Sequence, residues 1–258
     1  MSRVLICGIG GVGGTLARRL VVRGTSVHLV ARSSEKIAAL ETELRALGAS
    51  KGHNSPSLVS ASTADVLSDA DIERAARESA AVGAGSLTGF VYAVGSIPLK
   101  PFKSTTAKDF ADAYALNVIG GAMMLRACLP ALTAGASPGS AVFFSTVAAK
   151  VGFSNHTAIA GAKGGVEAFV RSLAAELAPK LRVNAIAPSL SDTPLAARML
   201  STDAARKALG DAHPMPRLGT SADSAAAAEF LLDDAWSSWV TGQVWSVDGG
   251  RSTLRPRG

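Results

Sequence analysis

A chain of 258 residues, 48% hydrophobic and 18% charged, is long enough for one large α/β core and lacks the composition of a disordered or repetitive protein. The formal charge of +6 invites a nucleic-acid reading, but the basic residues are dispersed apart from Arg251, Arg255 and Arg257, and no Lys/Arg stripe interleaves with aromatics; a polyanionic small ligand suits the charge equally well. No apolar run reaches the roughly 18 residues of a membrane span, no leader-like segment precedes the first strand, and two Cys and four scattered His form neither a disulfide framework nor a metal site.

The expectation is therefore a soluble, cytoplasmic protein with no metal and no nucleic-acid or membrane partner. In chain order, Arg3–Cys7 reads as a strand, followed at once by GIGGVGG and a helical pattern over 15–22. Gly8, Gly10 and Gly13 satisfy G-x-G-x-x-G between a strand and a helix, the context that gives that spacing its meaning. Gly8 permits the tight turn, Gly10 lets backbone approach a pyrophosphate, and Gly13 lets helix and strand pack closely. The helix N-terminus adds unpaired N–H groups and a positive dipole end. A second strand, Ser26–Ala31, ends at Arg32, Ser33 and Ser34. A site for NAD usually has a carboxylate about 20 residues past the glycines to hold the ribose 2′-hydroxyl. Arg32 occupies that region instead, and its planar, permanently charged fork suits a 2′-phosphate. The cofactor expected is NADP(H), with Arg32 and Ser33 around the phosphate.

A one-face apolar stripe at positions 37, 40, 44 and 47 predicts a helix over 35–47, and GASKGHNSP (48–56) reads as a loose linker. A short strand over 58–61, the triplet Ala64, Asp65, Val66, and a surface helix over 69–81 follow. A strand over 87–94 ends at Gly95, and a helix over about 106–131 carries Asn117, a poor helix former in mid-helix. A buried strand over 141–145 leads to Thr146, a loop, and a long helix over about 155–178 containing His156, Ile159 and Lys163. The remaining elements are a strand over 181–186, a helical lid over 193–210, a helix over 221–232, and a last strand within VTGQVWSVDGG (240–250). Alternating strands and helices imply right-handed crossovers and a single doubly wound Rossmann-type α/β domain spanning 1–258. A seven-stranded parallel sheet with helices on both faces and a short basic tail from about 251 complete the expectation.

From Val4 to Gly250 this layout resembles the short-chain dehydrogenase/reductase family. There a Ser or Thr ending a strand lies thirteen residues before a Tyr, with a Lys four further on; Thr146, position 159 and Lys163 have that spacing, but position 159 is Ile. The glycine turn also fits the family's T-G-x-x-G-x-x-G variant through Gly8, Gly11 and Gly14, with Cys7 in the Thr position. The resemblance implies that Asp65 and Val66 meet the adenine and that Gly95, all that remains of Asn-Asn-Ala-Gly, lets backbone approach the cofactor. It further implies that Asn117 kinks its helix and holds, through its carbonyl, a water bonded to Lys163. Lys163 would bind the ribose hydroxyls and Thr146 the substrate oxygen. Asn184 and Pro188 match the family's V-N-x-x-x-P-G phrase, Ser189 replaces its Gly, and Thr193 falls where the nicotinamide carboxamide is held. Homodimers or homotetramers are common in the family, and the small apolar stretches 120–125 and 166–170 would permit one.

In the family the Tyr gives a proton to a carbonyl oxygen as hydride reaches the carbon. Ile159 cannot. Three readings follow. The protein is an oxidoreductase acting on a small carbonyl, imine or activated C=C substrate, its proton coming from solvent or from His156, Thr146, Tyr92 or Tyr114. Alternatively it is a redox-inactive NADP(H)-binding pseudoenzyme or subunit. In the third, it is a non-redox cyclase or isomerase on the same scaffold.

Overall fold

The computed structural model describes residues 2–50, 58–81 and 87–255; most of the linker expected at 48–56 lies outside them. Seven strands form one parallel sheet in the order β3-β2-β1-β4-β5-β6-β9. They are β1 (Arg3–Cys7), β2 (Ser26–Ala31), β3 (Val59–Thr63), β4 (Leu87–Tyr92), β5 (Gly139–Phe144), β6 (Leu181–Pro188) and β9 (Val244–Val247). A separate two-residue parallel pair joins β7 (Ser191–Asp192) to β8 (Gly219–Thr220).

Side chains alternate across each strand, so the sheet feeds two cores. Leu5, Cys7, Phe90, Tyr92, Ala141 and Phe143 face one core. It is closed by α3 (Asp69–Ala81), α5 (Gly120–Leu132) and α6 (Thr157–Leu177). Val4, Ile6, Val91, Val142 and Ile186 face the other. That side is closed by α1 (Gly11–Val22), α2 (Ser34–Ala49) and α8 (Ser221–Leu232). Burial on both faces explains why the strands read as continuous apolar runs. Glu229, buried on α8, accepts at 2.5 Å from both Arg19 of α1 and Arg23, the residue that caps α1, and ties two helices of the second layer.

The helix expected over 106–131 is divided. Its first part, α4 (Ala107–Tyr114), opens with a capping box of Thr106 and Asp109. A π-helical turn over Ala115–Ile119 follows, and then α5. The apolar stretches expected to permit assembly are mostly core: Gly120, Gly121, Met124, Leu125, Val166 and Val170 are buried within the chain. Phe110, Tyr114 and Ile119 are the large apolar side chains that this region leaves exposed. The lid expected over 193–210 is a 3-10 turn (Pro194–Ala196) followed by α7 (Asp203–Asp211).

One buried histidine makes stability depend on pH. His28 on β2 bonds Ser60 at 2.9 Å and Ser62 at 2.8 Å, both on β3. Ser62 donates to Glu78, so it accepts from His28 Nε2–H, and Nδ1 accepts from Ser60. The ring is thus held neutral, and burial pushes its pKa down from 6.5 to about 4. Because the folded pKa lies below the unfolded value, the unfolded chain binds the extra proton first. Stability therefore falls as pH drops from about 6.5 to about 4, by roughly 3 kcal/mol. Denaturant midpoints measured across that window should flatten in His28→Gln; an unchanged slope would place the acid sensitivity elsewhere.

Candidate functional site

The order in which the chain adds strands reverses between β1 and β4, the switch point where open α/β sheets form a crevice beyond the carboxyl ends of their strands. The glycine turn sits there. Gly8 has φ +87° and donates its N–H to Val30 O at 2.8 Å. A Cβ on Gly8 would lie 2.8 Å from the Ala93 carbonyl and Val94 N, and one on Gly13 would lie 1.9 Å from Gly8 O. These two positions bring β1, the end of β4 and α1 together. A Cβ on Gly10 meets nothing within 4 Å, because this glycine faces open space at the N-cap of α1. Gly11 abuts Thr193 Cγ2 at 3.0 Å and Ser221 Oγ at 2.9 Å, measured from the same ideal Cβ. The loop after β6 therefore reaches across to the glycine turn. The helix α1 begins at Gly11, four residues before the expected start, and no side chain caps it. Among the described residues, no N-cap side chain therefore satisfies its first N–H groups, which leaves them open to a ligand.

At the end of β2, Arg32 is exposed and has no ion-pair partner among the described residues. Ser33 caps α2, its Oγ accepting from Lys36 N at 3.2 Å, which leaves the hydroxyl hydrogen free. Across β3, the Asp65 carboxylate accepts from Leu67 N at 3.0 Å and Val66 is buried.

A second group converges on Gly95. An ideal Cβ there would be 3.1 Å from Asn117 Oδ1 and 3.5 Å from Lys163 Nζ. Asn117 is 1% exposed; its Nδ2 donates to Ala113 O at 2.8 Å and Ser96 Oγ at 3.3 Å. Its Oδ1 is buried and has no hydrogen-bond donor among the described residues, a cost a bound donor would remove. The π turn is what carries this side chain inward, since the extra residue rotates position 117 relative to a continuous α-helix. Lys163, 7% exposed, donates to Phe144 O at 2.7 Å. Burial pushes its pKa down to about 8. One of its three N–H groups is used and two remain.

Thr146 follows β5. Its Oγ1 accepts from Ala148 N at 3.2 Å, so its own hydrogen is free to be donated. The adjacent Ser145 is turned away, donating to Glu167 at 2.7 Å. Ile159 is 3% exposed, one helical turn before Lys163. His156 is the N-cap residue of α6; its Nδ1–H donates to Ser154 O at 2.7 Å, and its ring lies 5.5 Å from Phe153. Tyr92 does not belong to the site: it is buried under Gly120 and Gly121 and donates to Leu116 O at 2.7 Å, and burial raises its pKa. It is removed as a proton source. Tyr114 packs against Gly165 and is 46% exposed. Pro188 ends β6, and the residue after it forms a contact that spacing alone could not reveal. Ser189 Oγ lies 2.8 Å from Nε2 of the buried His213, 24 residues later.

A glycine turn at the switch point of a parallel sheet, with a buried lysine and asparagine converging on Gly95, fits one class, and the comparisons agree: the chain belongs to the short-chain dehydrogenase/reductase family of oxidoreductases. The sequence profile described as Enoyl-(Acyl carrier protein) reductase matches residues 8–252. A tropinone reductase homolog of Arabidopsis thaliana is 33% identical over 98% of this chain and 90% of its own length. A short-chain type dehydrogenase/reductase from Mycobacterium ulcerans superposes with a TM-score of 0.89 at 32% identity, over 98% of this chain and 90% of that one. The actinorhodin polyketide ketoreductase in its structure with NADPH has the same fold, with a TM-score of 0.89 at 24% identity over 98% of each chain.

The glycine positions separate packing from binding. Gly13→Ala should destabilise the fold by about 1–3 kcal/mol through backbone overlap. Gly10→Ala should leave thermal unfolding unchanged while weakening nicotinamide-nucleotide binding at least tenfold, because its methyl would enter only the crevice. Paired melts and calorimetric titrations check both; a Gly10→Ala protein that binds normally would remove the pyrophosphate from that position.

Proposed function

We propose that the protein is an NADP(H)-dependent oxidoreductase that transfers hydride to or from a small organic carbonyl, imine or activated C=C substrate with an unusual proton donor. The observation that carries this reading is the convergence of Asn117 Oδ1 and Lys163 Nζ on Gly95, at the end of a crevice opened by the glycine turn. In this reading Gly8, Gly10, Gly11 and Gly13 admit the pyrophosphate, and Arg32 and Ser33 hold the 2′-phosphate at the start of α2. Asp65 and Val66 border the adenine, while Pro188 and Thr193 border the nicotinamide. The actinorhodin polyketide ketoreductase, which shares this fold, holds NADPH in its structure, in keeping with this cofactor class.

When bound, the nicotinamide supplies or accepts the hydride. Lys163 offers its two remaining N–H groups to ribose hydroxyls, and Asn117 accepts from a donor at the same place. Thr146, its hydrogen uncommitted, hydrogen-bonds the substrate oxygen or nitrogen. Ile159 excludes water from that side and carries no proton. His156 lies one helical turn before Ile159, and with Nδ1 committed to Ser154 its Nε2 is the atom that would hold and deliver a proton. A general acid is typically worth about 10²–10⁴-fold, so an imine that arrives protonated, or an enone protonated later by solvent, suits this site better than a simple ketone. The apolar Ile159 equally supports a redox-inactive NADP(H)-binding protein or a non-redox cyclase or isomerase, and turnover separates these. The exposed Phe110, Tyr114 and Ile119 provide apolar surface for a homodimer or homotetramer.

Calorimetry should give tighter binding of NADPH than of NADH, with the preference moving towards NADH in Arg32→Asp; equal affinities in the native protein would remove the 2′-phosphate from Arg32. NADPH oxidation should be detected with cyclic imines or enones, fall with Lys163→Ala, and extend to ketones in Ile159→Tyr. Silence of the native protein towards the whole panel, with ketone reduction appearing in Ile159→Tyr, would favour the non-redox readings.

A further inference from the structure

The loop from Ser189 to Thr193 joins the end of β6 to the glycine turn, and α7 holds it at two points. Arg206 of α7 makes a bidentate ion pair with Asp192, at 2.6 and 3.2 Å, next to Thr193. At the other end, His213 lies just past α7, 5% exposed. Its Nδ1 is 2.9 Å from Leu209 O and 3.3 Å from Gly210 O, both acceptors only, so the proton is on Nδ1. Nε2 is therefore an acceptor, and Ser189 donates to it at 2.8 Å. The histidine is itself anchored: Arg251 donates to Ala212 O, and Met215 N donates to Gly249 O at 3.0 Å. Ser189 N also donates to Val247 O at 3.3 Å and Gly219 N to Leu190 O at 3.0 Å. These two backbone ties at the 189–190 end of the loop run to β9 and β8. The Ser189–His213 bond lines a cavity of about 370 Å³ on that same side, with Met215, Arg217, Asp223 and Asp248.

We propose that His213 is a positioning residue for the nicotinamide end of the site. Through Ser189 it holds the loop 189–193 at the distance from the glycine turn that the cofactor's reactive half requires. The device is a proton-fixed chain, from Leu209 O through the imidazole to the Ser189 hydroxyl, that couples the end of α7 to the loop. It rests on the NADP(H) reading of the crevice. Because the tie acts at Pro188–Thr193 and not at Gly8, Gly13 or Arg32, it bears on the nicotinamide half of the cofactor and leaves the adenosine half alone.

The test compares NADPH with 2′-phospho-ADP-ribose, which carries everything but the nicotinamide, by calorimetry on native protein, Ser189→Gly, His213→Phe and the double variant. Each single variant should weaken NADPH about 5–10-fold, the range of one lost hydrogen bond, and leave 2′-phospho-ADP-ribose within twofold. The double variant should be no weaker than the worse single one, since both remove the same tie. Equal weakening of both ligands, unchanged NADPH affinity, or losses that multiply in the double variant would overturn the proposal. Should His213→Phe fail to fold, Ser189→Gly, which keeps the imidazole in place, decides by the same ligand comparison. A native protein that binds neither ligand would instead overturn the cofactor reading, and this inference with it.

Discussion

Three backbone segments meet where no side chain can fit. Gly13 of α1 stands against the carbonyl of Gly8, and Gly8 stands against the peptide joining Ala93 to Val94 beyond β4. This contact sets how closely the first helix approaches the sheet, and so where its free N–H groups end. It also sets the width of the crevice at the switch point between β1 and β4. The positive φ at Gly8 turns the chain out of the strand in one residue, a conformation that costs other L-residues on the order of 1–2 kcal/mol. Everything placed around the crevice is measured from this turn: Thr193 touches Gly11, and Gly95 follows the Ala93–Val94 peptide by one residue.

Much of this was legible in the residues because it is local. A strand running into G-x-G-x-x-G, Arg32 at the end of the next strand, and Thr146 and Lys163 at fixed spacing each declare themselves within a few positions. The alternation of strands with helices declared the parallel sheet, and the buried runs of β1, β2, β4, β5 and β6 agree with strands covered on both faces. What was not legible depends on contacts distant in sequence or on a small departure from regular geometry. The resemblance implied a kink at Asn117, but not its form, a π turn over 115–119 that adds one residue to the helix. Tyr92 has the same strand position as a site residue would, yet the alternation of β4 points it into the core towards Gly120 and Gly121. Ser189 read as a departure from a glycine, and only the fold brings His213 to its hydroxyl.

The stretches 120–125 and 166–170 show a related ambiguity. Small and apolar residues at helical spacing serve a subunit interface and a sheet-packing face equally well. Gly120 and Gly121 are small because Tyr92 lies against them, its hydroxyl 2.7 Å from an ideal Cβ on Gly120 and its ring 2.9 Å from one on Gly121. The requirement is internal, and the exposed apolar surface lies one face away, at Phe110, Tyr114 and Ile119.

Lys163 and Ile159 are neighbours on one helix, and their surroundings differ: one is a buried cation with a polar partner, the other a buried apolar side chain. Lys163 is confined by the core: its ammonium is buried, fastened to Phe144 O and aimed at the same glycine as Asn117 Oδ1. Burial lowers its pKa to about 8, so an anionic or hydroxyl-rich partner would recover part of what desolvation costs. Ile159 sits in the same layer without any polar partner to satisfy, and a tyrosine there would need a place for its hydroxyl. An apolar residue makes this side of the crevice drier and strengthens any hydrogen bond Thr146 gives across it. Under the proposed function, the same apolar wall would favour substrates that need little help from an acid at position 159, while Lys163 would keep its place beside the cofactor.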